Sequence, residues 1–325
     1  MRRRAFIALL LGGTATWPLA VNAQQPSGSV HRVGLLWPGV SVPASPRMES
    51  FRRGLREQGY VDGRNVIIEL RYSREGPRHL AQLAADLVPM NVDVIWTAGD
   101  FAPKLVQQAT QTIPIVATTD DMLGAGLVTN LSRPGGNITG LTILAPELSA
   151  KRLEVLKNIV PGLSRVAALW DPTTGTSQVT VTKNAAQFLN LESHVFEVRH
   201  RDDLARAFEA ARKERAEALN IFSSPFLASL SNEIIGLAAK SRLPAIYQWR
   251  EHVEAGGLVS YGPSLAELWR QSAHMVAKIL GGAKPSDLPV EQSATFELVI
   301  NQKTAKELGL ELPLPLLIRA DDVIE

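Results

Sequence analysis

The 325-residue chain contains no cysteine. Disulfides, thiol catalysis and cysteine-ligated metals are therefore excluded, and stability has to come from buried apolar surface. Histidine is scarce, and His31, His79, His194, His200, His252 and His274 show no HExxH or other metal-ligand spacing. No GxSxG elbow, Walker loop or GxGxxG after a first strand occurs, so the usual carriers of nucleophilic and nucleotide chemistry are missing. Charge of one sign is missing too. The net charge is only +2, and Arg2, Arg3 and Arg4 contribute three positive charges to it. Nothing in that balance marks nucleic acid or anionic membrane as a partner. The expectation is a protein that is not an enzyme and uses no cofactor or metal.

Long hydrophobic runs are absent as well. The run Ala5-Phe6-Ile7-Ala8-Leu9-Leu10-Leu11 is far shorter than the roughly 20 residues of a membrane-spanning helix. Placed after three arginines and before Val21-Asn22-Ala23, it has the layout of a cleavable export signal. Residues 1–23 are expected to be removed near Ala23, by the Sec or the twin-arginine route, leaving a soluble periplasmic protein. Arg3-Arg4-Ala5-Phe6-Ile7 resembles a twin-arginine signal.

What is present after Arg32 is an alternation of short β-rich runs and amphipathic helical stretches, the pattern of parallel sheets covered by helices. The spacing predicts strands over 33–37, 66–71, 92–96 and 115–118, with helices over 47–58, 78–87 and 102–108. Arg133-Pro134-Gly135-Gly136-Asn137 then makes a non-helical bend. After it the alternation restarts, with strands over 166–170, 194–198, 218–222, 244–248 and 258–261. The accompanying helices are predicted over 147–159, 177–189, 202–213, 226–240 and 265–280. The tail is less regular, with a strand over 296–300 and a short helix over 302–308. The fold class is α/β, as two doubly wound parallel-sheet lobes.

Open parallel sheets bind ligands beyond the carboxyl ends of their strands. Trp37, Trp96, Trp170 and Trp249 lie at or just past such ends, with Tyr247 and Tyr261 also near strand ends. Two roles compete for the tryptophans: walls of one crevice that stack on a flat or apolar ligand, or plugs for each lobe's own core. The same loops carry Ser41, Gly99, Asp100, Thr118, Asp120, Asp171, Thr173, Thr176, Ser223 and Ser224. Hydroxyls and backbone N–H groups at helix starts suit a carboxylate, and an aspartate suits an ammonium, so the set fits a zwitterionic amino acid. N-capping of the following helices is the competing role for these polar residues.

The chain resembles the exported substrate-binding proteins of ABC transporters, a family whose best-described members bind tryptophan or phenylalanine. The resemblance is carried by Phe51-Arg52-Arg53-Gly54-Leu55-Arg56-Glu57-Gln58-Gly59-Tyr60 and by Ser132-Arg133-Pro134-Gly135-Gly136-Asn137-Ile138-Thr139-Gly140. It continues through Leu243-Pro244-Ala245-Ile246-Tyr247, Ser260-Tyr261-Gly262-Pro263 and Phe296-Glu297-Leu298-Val299-Ile300-Asn301. It implies a type I periplasmic-binding-protein fold with three crossing segments, one lobe holding 31–143 and 263–290, the other 144–262 and 291–325. It also implies a monomer that captures a small solute by closure and docks on a membrane permease. The site residues expected to touch that solute are Trp37, Ser41, Trp96, Gly99, Asp100, Thr118, Asp120, Trp170, Asp171, Thr173, Thr176, Ser223, Ser224, Tyr247 and Trp249. An aromatic or branched amino acid leads among ligands. A sugar, a sensory role at a membrane receptor, and a hydrolase built on Asp100 and Asp171 are the alternatives.

Overall fold

The computed structural model describes residues 30–39, 45–73 and 77–325. The expected export signal and Ser41 lie outside the described residues. The chain opens with β1 (His31–Trp37), α1 (Pro46–Glu57), β2 (Val66–Tyr72), α2 (Pro77–Leu87), β3 (Val94–Ala98), α3 (Phe101–Ala109), β4 (Ile115–Thr119) and β5 (Ile138–Thr142). A second series follows: α4 (Ala145–Ile159), β6 (Arg165–Trp170), α5 (Ser177–Phe188), β7 (Glu192–Glu197), α6 (Asp203–Lys213), β8 (Ala218–Ile221), α7 (Pro225–Ser229) and α8 (Ser231–Lys240). It ends in β9 (Ala245–Tyr247), α9 (Arg250–Glu254) and β10 (Val259–Gly262). The remainder is α10 (Leu265–Leu280), β11 (Glu291–Gln292), β12 (Glu297–Asn301), α11 (Gln302–Leu308), α12 (Leu314–Arg319) and β13 (Asp322–Ile324).

Two sheets result. The first has the order β11-β5-β4-β3-β1-β2 and the second β13-β12-β10-β9-β8-β6-β7. Every pairing is parallel except β10 with β12. Central strands such as β3, with all five residues buried, are apolar on both sides because helices cover both faces. Each sheet accordingly separates two apolar clusters.

Local chemistry explains the elements. Ser45 caps α1, its hydroxyl accepting from the Met48 amide at 3.3 Å, and Pro46 occupies the first turn, where no amide is needed. Met48, Phe51 and Leu55 repeat at helical spacing and are buried. The helix α10, which follows the second series in sequence, returns to the first lobe and packs on α1. Gly54 permits that approach, since a Cβ there would stand 2.4 Å from the Arg270 carbonyl oxygen. The chain therefore crosses between lobes three times: from β5 to α4, from β10 to α10, and from β11 to β12.

Several elements differ from the sequence expectation. The predicted helix over 226–240 is two helices, α7 and α8, meeting at Leu230. Glu291 and Gln292 pair with Leu141 and Thr142, so the first sheet takes two residues expected in the second lobe. Strand β5 is not among the strands expected from the sequence, because Gly140 interrupts the short β-rich run that follows the bend. Gly140 instead allows close pairing. Its φ is +149°, and a Cβ would fall 1.8 Å from the Ala117 carbonyl oxygen. Gly140→Ala is expected to destabilise the fold by about 3 kcal/mol through strain and overpacking. Equilibrium urea unfolding checks this, and an unchanged midpoint would contradict it.

Candidate functional site

The strand order of the first sheet reverses between β1 and β3, and that of the second between β6 and β8. Those switch points are where open α/β sheets receive ligands. A cavity of about 500 Å³ lies between the lobes. The first lobe contributes Trp37, Arg47, Trp96, Gly99, Thr118 and Asp120, and the second Ser223, Ser224, Gln248 and Trp249. Leu265, Leu268 and Trp269 of α10 complete the wall.

One wall is aromatic. Trp37 and Trp96 stack with ring centroids 6.2 Å apart and planes 10° from parallel. Trp269 lies tilted against both, at 5.3 and 4.5 Å. Phe51 backs Trp96 at 5.7 Å. Trp249 leaves the end of β9 in the second lobe but is buried in the apolar cluster of the first. It thus bridges the lobes beside the cavity. For Trp37, Trp96 and Trp249 the two roles weighed coincide: each packs in an apolar cluster and lines the cavity.

The opposite wall is electrostatic. Asp100, Asp120 and Asp171 are all buried, and so is Arg152, whose charge acts on Asp120. Asp100 precedes α3 but does not cap it. Its Oδ1 accepts from the Asp120 and Asp121 amides at 2.9 and 3.2 Å. Asp120 Oδ1 accepts from the Ser223 hydroxyl across the cleft. Asp120 Oδ2 is buried and has no partner. Ser224 donates to Asp171 Oδ2 at 2.6 Å while capping α7. Asp171 also accepts from the amide and hydroxyl of Thr173, at 2.9 and 2.8 Å. Arg152 donates to the Ser149 hydroxyl at 2.7 Å and to the Tyr261 carbonyl at 3.1 Å.

Burial raises the Asp100 carboxyl well above its ordinary range, and the charge of Asp120 adds to the rise. Burial likewise pushes Asp120 up to about 6; the Ser223 hydrogen bond opposes this, Asp171 and Asp121 add to it, and Arg152 opposes it. Burial takes Arg152 down to about 10. It also takes His252 down to about 3, helped by repulsion from Arg47 and Arg152, so that imidazole is neutral. The Asp120 carboxyl thus has Asp100, Asp121 and Asp171 as acidic neighbours and the Arg152 guanidinium as a cationic one. A cation placed at Asp120 Oδ2 would relieve both the desolvation and the repulsion. Arg47, in the first turn of α1, is lowered by burial, with Glu251 opposing. It makes no hydrogen bond or ion pair among the described residues, and it lines the cavity.

Of the residues singled out in the sequence, Trp37, Trp96, Gly99, Thr118, Asp120, Ser223, Ser224 and Trp249 meet at the cavity. Asp100 and Asp171 stand directly behind it. Gly99 allows the lobes to touch, since a Cβ there would come within 2.9 Å of Pro225 Cγ. Thr118 exchanges a hydrogen bond of 2.7 Å with Ser272 of α10. Trp170, Thr173, Thr176 and Tyr247 are placed elsewhere. The Trp170 indole turns back to donate to the Gly175 carbonyl at 2.9 Å. Thr173 braces Asp171, and Thr176 precedes α5 without a side-chain cap. Tyr247 packs in the second lobe's own core and lines a separate cavity of about 470 Å³ with Leu243, Gly257 and Thr304. Strand β9 ends at Tyr247, so the chain turns there and sends only Gln248 and Trp249 into the cleft.

Sequence reasoning missed Arg47, Gln248 and Trp269. Trp269 sits mid-helix, and nothing local says that α10 returns to the first lobe. Its signal was the stripe Leu265, Leu268, Trp269 at helical spacing. Among the described residues no cluster of side chains could hold a metal ion. None of their helices is long and apolar enough to cross a membrane.

Residues 40–324 match the family described as ABC transporter substrate binding protein. A tyrosine-binding protein of Clostridioides difficile (strain R20291) is 24% identical over 267 residues, covering 81% of this chain and 76% of the relative. The crystal structure of an ABC domain in complex with L-Trp from Streptococcus pneumoniae is similar with a TM-score of 0.84 and 27% identity, over 91% of this chain and 100% of that one. A conserved domain protein from Vibrio cholerae has a TM-score of 0.85 and 26% identity over the same shares.

Proposed function

Because this chain belongs to the ABC transporter substrate-binding protein family, whose members bind substrate rather than transform it, we propose that it captures an aromatic amino acid between its lobes. It does so outside the cytoplasm and hands the amino acid to a membrane permease. The observation that carries this reading is Asp120 Oδ2, a buried carboxylate oxygen without a partner, in a cavity walled by indoles. The ligand ammonium pairs with Asp120, its carboxylate with Arg47, and its ring lies against Trp37, Trp269 and Trp249. A relative that binds tyrosine and one solved with L-Trp support the ligand class. A neutral sugar would leave the charge of Asp120 uncompensated.

Capture needs contacts that exist only when the lobes are together. Trp37 and Asp120 come from one lobe, and Ser223 and Trp249 from the other, so a bound amino acid favours the closed arrangement. A thermal-unfolding screen of the L-amino acids at pH 7.5 tests the reading. An aromatic amino acid at about 100 times its Kd should add about 2.7 kcal/mol of stability. A screen in which no amino acid raises the midpoint would contradict it.

Binding should also depend on pH. The ammonium pairs with ionised Asp120, whose carboxyl is pushed up to about 6 in the free protein. As pH falls through that value the carboxyl protonates, and affinity should drop about tenfold per pH unit. The free fold responds oppositely. A carboxyl raised from 3.8 to about 6 contributes stability at low pH and loses it as pH climbs through that window. Calorimetric Kd values at pH 5 and pH 7.5 check the first effect, and equal affinities would contradict it.

A further inference from the structure

The Ser223 hydroxyl reaches across the cleft to Asp120 Oδ1, and the backbone that carries it is itself held by a side chain. Strand β8 ends at Ile221, and the Phe222 amide makes the last bond toward β6, at the Leu169 carbonyl. One residue later the chain is held by Gln178, in the first turn of α5. Gln178 Nε2 donates to the Ser223 carbonyl at 2.9 Å, and Gln178 Oε1 accepts from the Ser223 amide at 2.8 Å. A primary amide carries one group of each polarity, so it takes the place of the peptide that a neighbouring strand would offer. Gln178 Oε1 also accepts from the Ser149 hydroxyl at 3.2 Å, and that hydroxyl accepts from Arg152 Nη2 at 2.7 Å. Arg152, Ser149, Gln178, Ser223 and Asp120 are all buried. Gln178 does not line the cavity.

Building on the reading that Asp120 receives the ligand ammonium, we infer that Gln178 is a positioning residue of this site: its clamp on the Ser223 backbone aims the Ser223 hydroxyl at Asp120 Oδ1 and reserves Oδ2 for the ligand. Beyond the end of β8 no strand fixes residue 223, and a hydroxyl that must reach the other lobe needs a fixed backbone. Gln178 is braced in turn by Ser149, and Ser149 by Arg152. A buried chain of hydrogen bonds therefore runs from Arg152 through Ser149, Gln178 and the Ser223 backbone to Asp120. Without the clamp Ser223 is free to turn its hydroxyl away. Asp120 then loses a hydrogen bond that favours its ionised form.

NMR titration of the Asp120 carboxyl carbon in the free protein, paired with calorimetry of L-tyrosine at pH 7.5, tests the inference on Gln178→Met, Ser223→Ala and the double variant. Gln178→Met keeps the bulk of the side chain and removes the clamp, whereas Ser223→Ala removes the hydroxyl that the clamp aims. Each should raise the pH at which Asp120 titrates by about one pH unit and weaken L-tyrosine at least about tenfold, the worth of one hydrogen bond to a charged group. Asp100, Asp121, Asp171 and Arg152 also act on Asp120 and are retained in every variant. The double variant should match Ser223→Ala alone, because the clamp then has nothing to aim. Losses that add in the double variant, or an Asp120 titration unmoved by Gln178→Met, would give Gln178 a purely structural role and overturn the inference. Gln178→Asn, one methylene too short to hold both Ser223 groups, decides the matter if Gln178→Met folds poorly. Failure of the unaltered protein to bind L-tyrosine would count against amino-acid capture, while the titration still decides whether Gln178 aims Ser223.

Discussion

Asp120→Asn should weaken amino-acid binding by at least about 30-fold, since removing one partner of a buried, hydrogen-bonded charge pair costs about 2–5 kcal/mol or more. The same substitution should leave the free protein as stable as before, or more so. Asp120 sits among Asp100, Asp121 and Asp171, and burial already pushes its carboxyl up to about 6. A neutral amide removes that repulsion, and its carbonyl can still accept from Ser223. Opposite movements of affinity and stability would mark Asp120 as a residue kept for the ligand at the expense of the fold. Calorimetry and thermal unfolding of the same preparation measure both. Unchanged affinity, or lost stability with lost affinity in proportion, would contradict the assignment.

Arg47→Ala should cost about thirtyfold in affinity, the value of about 2 kcal/mol for a charge-assisted hydrogen bond to a carboxylate. Arg47 is not part of an apolar cluster, so its removal should not disturb folding. Tyramine, which keeps the ring, hydroxyl and ammonium but has no carboxylate, supplies the control. It should bind the unaltered protein weakly and should lose nothing further, or even gain, on Arg47→Ala, because the guanidinium no longer has an anion to hold. Such a cycle isolates the carboxylate contact from any general change in the cleft. An equal loss for L-tyrosine and tyramine would move Arg47 out of ligand contact.

The sequence made the repeated α/β architecture legible because each lobe is built from local signals. Met48, Phe51 and Leu55 announce a helix by spacing, and Val94-Ile95-Trp96 a buried strand by composition. Strand-end logic then located Trp37, Asp120, Ser223 and Trp249, because parallel strands put their carboxyl ends on one side. It failed where position depends on distant chain. Trp269 reaches the cavity only because α10 crosses back to pack on α1, with Gly54 against Arg270. Tyr247 and Trp249 are two residues apart, yet one enters the second lobe's core and the other the cleft. The end of β9 separates them, and an element boundary is the least readable feature of a sequence. Trp170 looked equivalent to Trp37, but the carbonyl of Gly175 captures its indole N–H. Capping, the competing role for the polar residues, describes Ser224 and Asp171 and does not describe Asp100, whose carboxylate serves the backbone of Asp120 and Asp121 instead.

Capture of an amino acid between the lobes is tested most directly by a crystal structure of the protein grown with L-tyrosine. The expected result places the amino acid in the interlobe cavity, ammonium on Asp120, carboxylate on Arg47 and ring against Trp37, Trp269 and Trp249, with its covalent bonds intact. Density for the ligand in the separate cavity beside Tyr247, or in the cleft with the carboxylate turned toward Asp120, would contradict the account.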